Sequence, residues 1–405
     1  MNILVQKFGG TSVESYEKMN KICEIIKKYK DENYDLVIVV SAMGRKGAPY
    51  ATDTLIQLCK QVNEDVSKRE LDLIMSCGEI ISGTLLVNIL KSKKINSILL
   101  TGAQAGIITN AKYGDSSVID VNPCRIKEEL QKNKVVVVTG FQGITENGEV
   151  TTLGRGGSDT SAVIVGAGLD AKIVEIYTDV DGIMTADPRI EPNAKVIDHI
   201  NYEEVFQMAE KGAKVIHPRA VEIAKNNNIV LKIKNTLNPG DGTSIGSYLS
   251  REIDGYMSMN KDLMTGIANA DGIVQVKITD CKEATFTDIL SDMEKNEISM
   301  DMINFFVKEK AFTIDEEKLK CLEKLLDKYD ITYEIVKNCS KVTLIGSRIN
   351  GIPGVMVRIV RVLSEEKIEI LQTSDSRMTI SCVIKQEDLR KAVNALHKEF
   401  NLSKI

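Results

Sequence analysis

Apolar residues follow two alternating rhythms over the first 245 positions. Short aliphatic, β-branched runs at Ile3–Lys7, Leu36–Ser41, Ser97–Thr101, Val135–Thr139, Ile173–Thr178 and Val230–Lys234 have the length and make-up of buried strands. Between them, Ser15–Tyr29, Ile80–Leu90 and Ile119–Lys132 space apolar residues by three and four, which predicts helices. This alternation implies an α/β fold, a largely parallel sheet covered by helices on both faces. In such a sheet ligands bind beyond the carboxyl ends of the strands. Asn238-Pro239-Gly240-Asp241-Gly242 is a turn cluster near the end of this region.

The rhythm then changes. Glu283–Lys295 reads as a helix, Ser299–Val307 as a strand, and Lys318–Tyr329 as a helix followed by another strand. A similar order returns with helix Gly354–Glu366, strands Glu369–Ser374 and Met378–Ile384, and helix Glu387–Phe400. Two α+β modules of βαββαβ type are the natural reading. The expected organisation is residues 1–245, a linker at 246–262, and modules at 263–336 and 337–405.

Composition narrows the class. A chain of 405 residues exceeds one ordinary core. Its 52 basic and 57 acidic residues are well mixed and leave a net charge of −5, which argues against a nucleic-acid partner. The apolar runs are of strand length, well short of the roughly 20 residues a membrane helix needs, and no secretory signal is visible. Eight Cys without a CxxC pair and three His suggest reduced thiols in a cytoplasm and no zinc site.

The candidate chemistry lies in two glycine-rich turns that follow strands. Lys7-Phe8-Gly9-Gly10-Thr11 is one, and TLGRGGSDTSA at 152–162 is the other. Neither fits the P-loop pattern GxxxxGK[ST]. Glycine amides approach phosphate oxygens closely because no Cβ intervenes. Lys7 would add a point charge, and Arg155 a two-pronged grip on a carboxylate or phosphate. Ser158-Asp159-Thr160 opens a helix, whose N-terminus favours anions. A lone GG is usually only a turn, and a Ser-Asp before a helix is usually a cap; two such loops with basic residues at strand ends argue for a phosphate site.

Other signals carry less. Gly166-Ala167-Gly168-Leu169-Asp170-Ala171 matches GxGxxA by letter but follows a helix and precedes a strand, so it reads as a helix end. Asp179, Asp181 and Asp187 form an acidic loop without the closing Glu of an EF-hand. Glu79 reads as a charge at the head of the helix Ile80–Leu90.

Taken together, KFGGTSV at 7–13, VVSAMG at 39–44, the Gly78-Glu79 pair, TLGRGGSDTSA at 152–162, YTDVDGIMTADPR at 177–189 and KVIHPRA at 214–220 resemble the aspartate kinases of the amino acid kinase family. Residues 352–384, beginning Ile352-Pro353-Gly354, are similar to the paired ACT domains these enzymes carry, and the resemblance implies that one module is inserted within the other, so that the boundary near 337 is nominal. The resemblance implies ATP-dependent phosphorylation of L-aspartate on its side-chain carboxylate, the first step toward lysine, threonine, methionine and diaminopimelate. It implies Lys7 and Asp159 as catalytic residues. It puts Lys7, Phe8, Gly9, Gly10, Ser41, Thr178, Asp179, Ile183, Met184, Thr185, Ala186, Asp187, Pro188 and Lys214 on ATP, with Mg2+ bridging the phosphates. Thr52, Glu79, Arg155, Gly156, Gly157 and Ser158 would hold aspartate, with no metal ligands from the protein.

Asp301, Met302, Gly354, Val355, Thr373 and Ser374 would bind an amino-acid effector. Phe305-Phe306 stands where lysine-responsive members tend to carry amides, which leaves lysine, threonine and diaminopimelate open. Gly44–Ala51 is longer than in short bacterial forms. A homodimer or larger assembly through ACT pairing is expected, and Met257 and Met259 are candidate internal starts for a separate regulatory subunit. The competing expectations are a kinase of this fold with another acid as acceptor, and an amino-acid sensor whose kinase domain is inert.

Overall fold

The computed structural model describes residues 1–213, 215–238, 240–247, 264–347, 349 and 352–404. Lys214, Met257, Met259 and most of the expected linker lie outside the described residues. The chain divides into two compact units.

The first unit is built on an eight-stranded sheet. Its order is His199–Asn201, Thr243–Gly246, Val230–Asn235, Ile173–Thr178, Ile3–Phe8, Asp35–Val40, Val135–Thr139 and Ser97–Leu100. All six strands expected from the apolar runs are in it. Their pairings are parallel, and only Val230–Asn235 against Thr243–Gly246 is antiparallel. Both faces are buried, so Leu36–Val40 and Val135–Val138 are apolar at every position. One face packs on Met19, Ile22 and Ile26 of helix Tyr16–Asp31 and on Leu86 and Leu90 of a second helix.

That second helix corrects two expectations. It runs Lys68–Ser92, capped by Ser67, whose side chain accepts from Glu70 N, so Glu79 lies mid-helix and not at its head. It is also long and apolar enough, by length and composition, to cross a membrane, although the apolar runs suggested no such segment. Its buried face carries Asp72, Ser76, Glu79 and Ser82, which marks it as a core helix.

A four-stranded sheet of Val118–Val121, Ile107–Thr109, Gln142–Thr145 and Val150–Thr152 completes the unit. Here the helix expected at Ile119–Lys132 is shortened to Cys124–Gln131. Val118, Ile119 and Val121 are β-branched and take strand geometry, and the restricted Asn122 before Pro123 delays the helix to Cys124.

The second unit holds a six-stranded antiparallel sheet. Its order is Asp301–Phe305, Glu309–Asp315, Gly266–Thr279, Thr332–Ile345, Thr379–Lys385 and Gln372–Asp375. The two long central strands pair with each other along their length, with register shifts around Ala270–Gln275. Ile273–Thr279 pairs with Glu309–Asp315, and Cys339–Ile345 pairs with Thr379–Lys385. The N-terminal half of Gly266–Thr279 therefore completes the second module, within which the first is inserted. The nominal boundary at 336/337 falls inside a single strand. Each module has its own core, one around Phe286, Phe312 and Leu322, the other around Leu344, Ile359 and Leu396.

Residues Met184–Lys195 also fold with this unit. Ala186 and Ala194 join the second module's core. Ile267 N donates to Thr185 O at 2.7 Å, and Thr185 Oγ1 lies 2.9 Å from His397 Nε2. Arg390 donates to the Arg189 carbonyl at 2.9 Å.

Candidate active site

Period-two alternation in Ile3–Phe8 sets the first side of the site. Phe8 turns inward, fully buried, and stacks on Tyr177 with ring centroids 4.7 Å apart, so its side chain belongs to the core and only its backbone reaches the turn. Lys7 points the other way and brings Nζ to 2.6 Å from Asp159 Oδ1. At Gly10 a Cβ would sit 2.7 Å from Ala42 O and 2.8 Å from Gly44 O. Glycine is required there for close approach, and the Gly44 N–H donates back to Gly10 O at 3.0 Å.

The second loop needs glycine for another reason. Gly154 and Gly156 have φ of 72° and 66°, the left-handed region. Gly156 caps the helix Gly157–Gly168, which places Asp159 in its first turn. Asp170, φ 56°, ends that helix, so the Gly166–Ala171 segment is a helix terminus as its context suggested. A Cβ on Gly156 would fall 2.3 Å from the His217 ring. His217 Nδ1 accepts from Arg219 N at 3.3 Å, and burial pushes the imidazole below its usual value, which keeps it neutral in that cap.

These loops enclose a cavity of about 460 Å³. Of the residues singled out from sequence, it brings together Lys7, Gly10, Ser41, Thr52, Glu79, Arg155, Gly156, Gly157, Ser158 and Asp159. Glu79 is 2% exposed; its Oε1 accepts from Ala42 N at 2.9 Å, while Oε2 is buried without a hydrogen-bond partner. Burial pushes this carboxyl up to about 8. A buried, half-satisfied acceptor on a cavity wall is a place for a cationic ligand group.

The other expected nucleotide residues lie elsewhere. Thr178 and Asp179 end the strand next to Ile3–Phe8, and Asp179 is ion-paired with Arg45. Asp181 accepts from Asn235 Nδ2 at 2.7 Å, which makes it a loop anchor. Ile183, Thr185 and Ala186 have buried side chains, and Met184 to Pro188 fold with the second unit. Among the described residues no group of three or more His, Cys, Asp or Glu could hold a metal ion.

Sequence reading missed the support beneath the first loop. Glu175, nearly inaccessible, accepts from Gln6 Nε2 (2.8 Å), Tyr29 OH (2.8 Å), Tyr177 OH (3.0 Å) and Lys234 Nζ (2.7 Å). Burial alone would push its carboxyl up; the Lys234 ammonium and these hydrogen bonds outweigh that and hold it below the usual range. The polar positions were visible, but five residues from four separate segments gave no local signal.

In the second unit, Val355, Thr373 and Ser374 line a cavity of about 240 Å³. Gly354, φ 93°, caps the helix that closes it. In the first module, where helix start and strand end meet, the half-exposed Phe305 packs edge-on against the buried Phe286 at 5.4 Å, with Lys310 Nζ 5.3 Å from the Phe286 ring. Asp301 is ion-paired with Lys341, and Met302 is buried with φ 49°.

Comparison with known proteins extends this picture. The amino acid kinase family profile matches residues 2–235, and an ACT domain profile matches residues 334–398. Aspartokinase 1 of Bacillus subtilis (strain 168) is 42% identical over 409 residues, spanning the whole of both chains. The crystal structure of Clostridium acetobutylicum aspartate kinase aligns with a TM-score of 0.76 at 26% identity, over 98% of this chain and 100% of that one. E. coli aspartokinase III, in complex with aspartate and ADP, aligns with a TM-score of 0.77 at 24% identity, over 98% and 99%, a likeness of fold.

Proposed function

The chain belongs to the amino acid kinase family, in its aspartokinase branch with C-terminal ACT domains, and from that premise we propose how its residues carry out ATP + L-aspartate → ADP + 4-phospho-L-aspartate. One observation carries the assignment: a single cavity joins the Lys7–Asp159 pair, the Arg155 loop and the unsatisfied buried oxygen of Glu79.

The acceptor is a carboxylate, ionised at neutral pH with an ordinary pKa of about 3.9, so no general base is needed. Its oxygen forms the new bond to the γ-phosphorus, and the bond from that phosphorus to the β–γ bridging oxygen breaks, leaving ADP. Catalysis is then positioning and charge neutralisation. Lys7, held in place by Asp159, neutralises the transferred phosphoryl group. The amide of Gly10 cradles it, while Gly9, whose own N–H donates to Tyr177 O at 3.2 Å, fixes the turn, and Ser41, Thr178 and Asp179 take the nucleotide. Arg155 grips the α-carboxylate of aspartate, Glu79 accepts from its ammonium, and Thr52, Gly156, Gly157 and Ser158 fix the rest.

Mg2+ fits this site as a companion of the nucleotide. Of the two carboxylates on the cavity wall, Glu79 faces the substrate and Asp159 would hold the ion beside the nucleotide phosphates. When bound, it adds further neutralisation of phosphate charge.

The ACT modules make the enzyme responsive to a pathway amino acid. The corner lined by Val355, Thr373 and Ser374 encloses about 240 Å³, room for an amino-acid effector. We place the enzyme in the cytoplasm as a homodimer or larger through its ACT modules. Exposed Ile303, Phe305, Phe306 and Val307 on or beside an edge strand support that pairing. Sedimentation showing a monomer with effector present would contradict it.

Trapping of the acyl phosphate with hydroxylamine tests the reaction. Aspartate should give hydroxamate, and glutamate and N-acetylglutamate little. A preference for either of the latter overturns the choice of acceptor, and no product from any acid overturns the kinase itself.

A further inference from the structure

The helix Lys68–Ser92 turns a row of polar groups into the fold, each holding a segment at the cavity. Ser82 Oγ donates to Ser41 O at 2.7 Å, Glu79 accepts from Ala42 N, and Ser76 O accepts from Gln142 Nε2 at 2.9 Å. Nearer the helix start lies Asp72, fully buried and not on the cavity wall. Its Oδ2 accepts from Gly114 N at 3.0 Å and from Thr152 N at 2.9 Å. Its Oδ1 accepts from Thr152 Oγ1 at 2.7 Å.

The three donors come from a loop residue, Gly114, and from a strand end, Thr152, both leading into the cavity. Gly114 lines it, and Thr152 leads through Leu153 into Gly154 and Arg155, which also line it. The two segments are stapled to each other as well. Thr152 O accepts from both the amide and the hydroxyl of Ser116 at 2.9 Å, and a Cβ on Gly154 would lie 3.0 Å from Asp115 Oδ1. A carboxylate withdrawn from water is costly unless its lone pairs are filled, and here they are filled by the backbone that sets the Arg155 bend.

We propose that Asp72 is a positioning residue for the acceptor side of the site, fixing the Gly154–Arg155 bend so that the guanidinium meets the carboxylate of the substrate. This rests on the reading of Arg155 as the aspartate clamp. Asp72 acts through hydrogen-bond geometry. An Asn at 72 can keep its oxygen toward the two amides and turn its NH2 to the Thr152 hydroxyl, which can rotate to accept. Ala loses all three bonds.

Steady-state kinetics on the full chain test this, alongside thermal melting. Wild type must first yield hydroxamate from aspartate; if it does not, the reading of function fails and not this inference. Asp72→Ala should raise KM for aspartate about tenfold or more while KM for ATP stays within about threefold, given what unpaired buried amides cost. Asp72→Asn should keep both KM values within about 1.5-fold of wild type. A folded Asp72→Ala with unchanged KM for aspartate, or equal rises in both KM values, overturns the proposal. If Asp72→Ala does not fold, Thr152→Val decides: removing one of the three bonds should raise KM for aspartate about threefold, and an unchanged value overturns it.

Discussion

The two glycine loops look alike as strings but differ in what glycine does there. At Gly10 the backbone is ordinary and space is missing: carbonyl oxygens of Ala42 and Gly44 stand where a Cβ would go. At Gly154 and Gly156 the backbone itself is left-handed, and at Gly156 the nearest obstacle is a side chain, His217. The first loop is rigid through crowding by main chain, which suits a cradle for a group of fixed shape such as phosphate. The second is a shaped bend that aims Arg155, and its form is kept by neighbours that can be changed one at a time.

The largest effect should come from Lys7→Ala. It removes the cation at the transferred group, and kcat of the folded variant should fall by about three orders of magnitude or more, with some loss of melting temperature from the unpaired Asp159. If the variant keeps most of its activity, the phosphate role of Lys7 is wrong.

Gly10→Ala should come next, lowering kcat/KM for ATP by about a hundredfold, because backbone carbonyls cannot step aside. Gly156→Ala should lower kcat/KM for aspartate by about tenfold, from the left-handed strain and the ring contact. The double variant Gly156→Ala/His217→Ala should recover part of that loss, whereas no single side-chain deletion relieves Gly10→Ala. A Gly156→Ala defect that falls on ATP alone would erase the distinction between the loops.

The smallest effect concerns protons at Glu79. Its folded value of about 8 lies above the ordinary 4.5. Between those values the folded chain holds a proton that the unfolded chain lacks. The contribution to stability is therefore complete below about 4.5 and lost as pH rises through about 8. Glu79→Gln should flatten that decline. At pH 7 the substrate ammonium should draw the carboxyl back to its charged form, so aspartate binding should release a proton, seen as a buffer-dependent enthalpy that Glu79→Gln lacks. A buffer-independent enthalpy in wild type would remove Glu79 from the substrate.

How much of this was legible follows from the same physics. The six buried strands announce themselves because a sheet covered on both faces admits only apolar runs. The Lys68–Ser92 helix shows only its second half, Ile80–Leu90, because buried Asp72, Ser76 and Glu79 break the apolar pattern of the first. Glu79 was thus misread as a helix-end charge. Of the two central strands of the second unit, Gly266–Thr279 went unread, and Thr332–Ile345 was read only as an unbounded strand in the first module. It passes through polar Lys337-Asn338, with Asn338 at φ 56°, and serves both modules, so its apolar register is not continuous. Lys7, Arg155 and Asp159 were legible because glycine spacing marks them. Asp72 and Glu175 were not, since their partners lie far along the chain and only the fold brings them together.

The central claim is that a phosphoryl group passes from ATP to the side-chain carboxylate of aspartate. Borohydride reduction of the product formed from labelled aspartate, ATP and Mg2+ tests it most directly. Phosphorylation at the side-chain carboxylate gives labelled homoserine. Recovery of 3-amino-4-hydroxybutyrate, which marks the α-carboxylate, or of unreacted aspartate alone, would contradict it.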